Sequence, residues 1–176
     1  WGKVKGADGY QVYVTYCGKD FTTKPVKIVK SASVTKVSVD KINGKKLNLK
    51  RNYKVYIVAY KTVNGKKVVT GKTLIGHIVG KNNYAYTNVK QVKLAKSQFT
   101  LKIGKTAKIK AKTVLVDKKK KQLSNAHAQE FRYATSNKKV ATVSKQGKIK
   151  AVGKGTCTIY VYARNGDAKM IKVKVK

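Results

Sequence analysis

The chain of 176 residues is predicted to be all-β: two β-sandwiches in tandem, joined by a short linker. Three observations predict it. The apolar residues are mostly Val, Ile, Tyr and Ala with Thr beside them, types that pack on a pleated surface, while the helix formers Leu, Glu and Met are scarce. Alternating runs recur about every ten residues, punctuated by Gly and Asn, and no helical period persists over a dozen. Small sandwiches need roughly 90 to 100 residues, so the length accommodates two.

In the first half the runs are "YQVYVTY" (10–16), "PVKIVK" (25–30), "VTKVSV" (34–39), "YKVYIVAY" (53–60) and "TLIGHIVG" (73–80). Each alternates, so each presents one face to a core. Asn64-Gly65 sits between alternating segments, a strong hairpin signal because both residues tolerate positive φ in a type I′ turn. Asn43-Gly44 is a second turn of that kind. The rhythm lapses in "YAYTNVKQV", which places the linker near 82–91. That stretch has neither proline nor a Gly/Ser run, so the join is expected to be short and stiff.

The second half continues with "VKLAKSQFTLKIG", "TAKIKAKTVLV", "EFRYATS", "KVATVSKQGKIKAVG", "GTCTIYVYA" and "AKMIKVKVK". Apolar residues alternate with lysine, so the lysines belong to the solvent faces of strands, where they also deter edge-to-edge aggregation. Lys145-Gln146-Gly147 reads as a turn between two of these strands.

The net charge is +36, with 18 basic and 3 acidic residues in the first half and 24 and 3 in the second. Such a field attracts polyanions of any kind without choosing among them. Only Arg51, Arg132 and Arg164 are arginines, and the scarcity of that planar fork argues against a dedicated nucleic-acid reader. No apolar run approaches the roughly 20 residues that cross a bilayer, so no membrane insertion is expected in this segment.

Residues 89–176 resemble the bacterial immunoglobulin-like group 2 domain of intimin- and invasin-like and Gram-positive surface proteins. The resemblance rests on "VKLAKSQFTLKIGKTAKIKA", "SNKKVATVSKQGKIKAVGKGTCTIYV" and the closing "KMIKVKV". Tyr133 stands where that family usually has tryptophan, and "VDKKKKQLSNAHAQ" (116–129) is a longer or more polar loop than expected. Residues 1–83 resemble a fibronectin type III module through "WGKVKGADGYQVYVTY" and "LNLKRNYKVYIVAYKTVNGKKV". Trp1 would be its core tryptophan, with the first strand apparently missing. Leu47 and Tyr53 are spaced as in a corner whose tyrosine hydroxyl bonds upstream backbone. Leu49 and Arg51 replace that family's usual proline and threonine. Both resemblances imply immunoglobulin-like sandwiches of about seven strands and an extracellular or cell-wall-associated setting. Because the chain opens in what reads as a domain interior, it is expected to be a fragment of a longer protein.

No catalytic, cofactor-binding or metal site is expected. The acids Asp8, Asp20, Asp40, Asp117, Glu130 and Asp167 are dispersed singly, and His77 and His127 lie in different halves. His77 reads as a strand residue, and His127 as a loop residue able to pair with Glu130. Cys17 and Cys157 fall one to each half, and no C-x-x-C spacing occurs. Cys157, in phase with Ile159 and Val161, reads as core. Calcium would need an Asp-rich loop, which the chain lacks. "GKGT" (153–156) reads as a turn rather than a phosphate loop. Two binding features remain: Lys118, Lys119, Lys120 and Lys121 in the long loop as a polyanion contact, and the tyrosines Tyr13, Tyr56, Tyr160 and Tyr162, which alternation places opposite the core.

The sequence therefore points to a non-catalytic spacer or adhesion segment of a bacterial surface or secreted protein. The alternative is an accessory module that holds a secreted enzyme on glycan or anionic wall polymer. The expected partners are an anionic cell-wall polymer, a glycan or a host surface protein.

Overall fold

A computed structural model describes residues 1–176, all of them in strands, turns and extended segments with no helix. The chain separates into two compact units, Trp1–Tyr84 and Ala85–Lys176.

The first unit contains β1 (Gly9–Tyr16), β2 (Lys27–Val29), β3 (Lys41–Ile42), β4 (Lys45–Lys46), β5 (Asn52–Val63), β6 (Lys66–Lys72) and β7 (Gly76–Val79). Its main sheet has the order β2-β1-β5-β6, with β7 also on β5, and every pairing is antiparallel. The other layer contains only the β3-β4 hairpin as paired strand. Tyr10, Val12 and Val14 of β1 are buried with Tyr53 and Ala59 of β5. Val37, Val39 and Leu47 pack against them from the opposite side of the core.

"VTKVSV" (34–39) departs from its expected strand: it runs extended but joins no ladder. Val37 and Val39 still turn inward, so the alternation correctly placed their side chains. A ladder further requires a neighbour with amides in register, and here the backbone makes only scattered bonds. The Trp1 amino group donates to Thr35 O at 3.1 Å, and Lys27 Nζ donates to Ser38 O at 3.2 Å.

Both Asn-Gly pairs form the expected turns, with φ of 51° and 77° at Asn43 and Gly44 and of 49° and 74° at Asn64 and Gly65. The tyrosine corner also forms. Tyr53 donates its hydroxyl to Asn48 O, and Asn48 N donates to the Tyr16 hydroxyl at 3.0 Å. Arg51 lies over the Tyr16 ring, 4.1 Å from its centroid, and makes a cation–π contact there. Trp1 is half-buried and meets Tyr10 edge-on at 5.2 Å.

The second unit contains β8 (Val89–Leu94), β9 (Gln98–Leu101), β10 (Thr106–Lys108), β11 (Ala111–Leu115), β12 (Phe131–Thr135), β13 (Ala141–Val143), β14 (Lys148–Ala151), β15 (Gly155–Ala163) and β16 (Ala168–Val175). One face is the four-stranded sheet β12-β15-β16-β9, in which β9 runs parallel to β16. The remaining strands form two separate ladders, β10-β14-β13 and β11-β8. Ile149, Ile159, Val161, Ile171, Val173 and Val92 are wholly enclosed in the core. Burial of each such side chain stabilises by roughly 1.5–3 kcal/mol. Cys157 is buried among them, as its phase predicted.

Two expected single runs are each divided. "VKLAKSQFTLKIG" supplies β8 and β9, and "TAKIKAKTVLV" supplies β10 and β11, with the members of each pair in different sheets. Strand β8 begins at Val89, inside the stretch read as linker.

Candidate functional site

The break between β10 and β11 creates a groove. The chain leaves the β14 ladder after Lys108, passes through the buried Ile109, and joins β8 from Ala111 onward. Ala95 N donates to Lys110 O at 3.0 Å and Ile109 N to Gly147 O at 2.9 Å, which anchors the crossing on both sides. The gap is an open groove of about 520 Å³. It is lined by Lys93, Lys108, Lys110 and Lys112, by Leu94, Ala95, Ile109 and Ala111, and by Phe131, Tyr133 and Gln146. The four lysines are exposed and form its rim, whereas Phe131 and Tyr133 are half-buried on β12 of the facing sheet, pack against the core and line the groove.

The rim is electrostatically uncompensated from within. No Asp or Glu lines it. Lys93 and Lys112 stand directly opposite each other across β8 and β11, as do Lys108 and Lys148 across β10 and β14. Like charges in directly opposed positions are destabilising. Lys108 turns its ammonium onto Gln146 O. Glu130, beside the groove but not in its lining, accepts from Thr113 Oγ1 at 3.2 Å and Gln122 Nε2 at 3.1 Å.

Tyr133 is positioned by a glycine. Gly147 has φ of +76°, which favours glycine at this turn, and a Cβ there would lie 2.8 Å from the tip of the Tyr133 ring and push it aside. The turn is closed by Gly147 N donating to Ser144 O at 2.9 Å. Burial raises the Tyr133 phenol above its ordinary value, and the Glu130 charge adds to the effect.

The loop lysines form a different arrangement. Lys118 and Lys119 are exposed, the Lys120 ammonium lies 4.0 Å from Asp117, and Lys119 N donates to Asp117 Oδ1 at 2.9 Å. Lys121 joins Tyr86 in an isolated parallel bridge. Lys118–Lys121 therefore lie on an anchored turn, away from the groove lining. The second part of the loop is held by arginine. Arg164 is only 6% exposed, donates its Nε to Ala128 O at 2.8 Å, and donates Nη2 to Asn125 Oδ1. Arg132 donates to Ala163 O and Arg164 O, both at 3.1 Å. Burial lowers both guanidinium values; the Arg164 charge lowers Arg132 further, whereas Glu130 opposes the shift at Arg164.

The outward tyrosines of the first unit pack against one another. Tyr13 and Tyr56 stack at 4.6 Å with an 8° interplanar angle, Phe21 meets Tyr56 edge-on at 4.6 Å, and Lys72 Nζ lies 4.2 Å from the Tyr56 centroid. Their faces are engaged in packing rather than left as a flat platform. On the second unit Tyr160 and Tyr162 sit 6.0 Å apart, both half-buried. Sequence reasoning missed the Cys17 and His77 contact, in which Sγ lies 3.7 Å from Nδ1. Both side chains flank β5, a proximity that only the pairing of β5 with β1 and β7 creates.

The family model of the bacterial Ig-like domain (group 2) matches residues 88–173, nearly the whole second unit. Among curated proteins, no sequence matches the chain. Among solved structures, the chain is similar to the S-layer protein SbsC, with 13% identity and a TM-score of 0.43 over 99% of this chain. It spans only 21% of that S-layer chain. Domains 4 and 5 of SbsC align at 14% identity and a TM-score of 0.42, covering 91% of each chain. The fibronectin(III)-like modules of CbhA from Clostridium thermocellum align at 14% identity and a TM-score of 0.32, covering 100% of this chain and 82% of theirs.

Proposed function

We propose that this chain is a non-catalytic structural and interaction segment of a bacterial cell-surface or secreted protein. In this reading residues 1–83 are a fibronectin type III-like module and residues 89–176 a bacterial immunoglobulin-like module, which together hold neighbouring domains away from an anchoring point. The observation that carries it is the family match over residues 88–173. The corner between Tyr53 and Asn48 supports the reading of the first module.

The test is replacement in the parent protein. Residues 1–176 are exchanged for two unrelated sandwiches of equal length, and surface display and activity of the remaining domains are compared. Retained function is expected of a spacer. Loss of function despite normal display would overturn the spacer role.

A second reading is favoured by the lysine-rimmed groove: an accessory module that retains its parent on an anionic polymer or glycan. The field of +36 would draw such a polymer in, and Lys118–Lys121 would add attraction without selectivity.

A further inference from the structure

We infer that the groove between the β8-β11 and β10-β14-β13 ladders is a binding site for an anionic oligosaccharide, with Lys93, Lys108, Lys110 and Lys112 engaging the acidic substituents and Phe131 and Tyr133 the sugar ring. This deepens the second reading above and rests on it for the class of ligand.

Four features of the groove converge on that chemistry. Its volume of about 520 Å³ falls within the range of roughly 300–1,000 Å³ usual for small-ligand sites. Its rim is wholly cationic, and the directly opposed Lys93 and Lys112 repel each other until an anion lies between them. Its floor is apolar and aromatic, suited to the C–H face of a pyranose, and Gln146 adds a neutral polar group beside it. Its basic residues are all lysines, although Arg132 and Arg164 belong to the same unit and bond backbone carbonyls instead. Ammonium groups on long stems suit carboxylate, sulfate or phosphate substituents whose spacing varies along a glycan, whereas forked guanidinium groups favour fixed bidentate geometry.

Single-stranded nucleic acid is less favoured because the lining holds no arginine, the residue that adds cation–π contact to stacked bases.

The test titrates the full chain at about 0.15 M salt, where exposed long-range attraction is largely screened. The probes are a hexasaccharide of galacturonate, a sulfated heparin hexasaccharide, neutral maltohexaose, inorganic polyphosphate and a thymidine hexanucleotide. Galacturonate offers carboxylates alone and heparin offers sulfates in addition, so tighter binding of heparin reports sulfate recognition, and polyphosphate tests whether charge alone suffices. At least one acidic hexasaccharide is expected to bind, with amide shifts concentrated at residues 93–95, 108–112, 131, 133 and 146. Maltohexaose, polyphosphate and the nucleotide are expected to bind at least about tenfold more weakly. Lys93→Ser with Lys112→Ser is expected to weaken acidic-sugar binding about tenfold, with serine at 118–121 leaving it unchanged.

Circular dichroism of the variants checks that they are folded, and the amide shifts locate the site without any substitution. Binding of an acidic sugar with shifts elsewhere, or weakened equally by serine at 118–121, would overturn the groove and spare the second reading. Preference for the nucleotide or polyphosphate would overturn the sugar assignment. No binding by either acidic sugar or by polyphosphate would overturn both.

Discussion

Arg164 donates its Nε to the backbone carbonyl of Ala128 at 2.8 Å, joining residues 36 positions apart in the chain. One of three arginines in a chain rich in lysine thus secures the later part of the long loop. Replacement by lysine keeps the charge and loses the fork. Arg164→Lys is expected to destabilise the second unit by about 2 kcal/mol, the scale for a charged donor's hydrogen bond. Hydrogen exchange should accelerate at residues 124–130, and unchanged protection there would refute the clamp.

Gly147 carries a separate constraint. Gly147→Ala places a Cβ against the Tyr133 ring at 2.8 Å and forces an L side chain into positive φ. A loss of about 1–3 kcal/mol is expected from the backbone conformation alone. Denaturant unfolding measures it, and a neutral outcome would show that the turn relaxes freely.

At the corner of the first unit, Tyr53→Phe removes the hydroxyl that donates to Asn48 O and leaves the ring in place. The expected cost is about 1 kcal/mol. It should appear in the unfolding of the first unit while the second unit's transition stays unchanged.

Alkaline pH should destabilise both units through a partly buried thiol and several phenols. Burial is the largest cause raising the Cys17 thiol and the Tyr53, Tyr56, Tyr133 and Tyr162 phenols above their ordinary values. In each case the fold binds the proton more tightly than the unfolded chain. The resulting stabilisation is complete below the unfolded value, near 8.5 for a thiol and about 10 for a phenol, and disappears as pH rises through the folded value. Absorbance near 295 nm should therefore show these phenols ionising late, and Cys17 should alkylate more slowly than a free thiol at the same pH.

Salt should stabilise the chain. With a net charge of +36 and lysines directly opposed at 41 and 46, 93 and 112, and 108 and 148, screening relieves repulsion that the fold concentrates. The thermal midpoint is expected to rise between about 0.01 and 0.5 M salt, where the Debye length shrinks from about 30 Å to under 8 Å. A falling midpoint would show that attractive pairs dominate.

Much of the fold was legible because strands and turns leave local signatures. Alternation identified the long central strands, the Asn-Gly pairs identified two hairpins, and the Leu47–Tyr53 spacing anticipated a tyrosine hydroxyl bond to upstream backbone, which falls on Asn48 O. Alternation fixes the side-chain face but says nothing about which strand lies alongside. "TAKIKAKTVLV" keeps its period through Ile109 while its backbone changes partner, so the groove left no mark in the pattern. The same limit hid the Cys17 and His77 contact and the carbonyls that Arg132 and Arg164 hold. The tetralysine was conspicuous as composition, whereas Lys93, Lys108, Lys110 and Lys112 are spread over 20 residues and converge only in three dimensions.

The parallel pairing of β9 with β16 determines how the second unit answers tension. Pulling on its two ends first draws on the Tyr86–Lys121 bridge and β8, and once these come away the force reaches the start of β9 and the end of β16. Because these strands point the same way, the pull slides one along the other and strains the bonds between Gln98–Leu101 and Lys172–Val175 together instead of opening them one at a time. A module wired in this manner is expected to resist pulling force longer than its equilibrium stability alone would suggest.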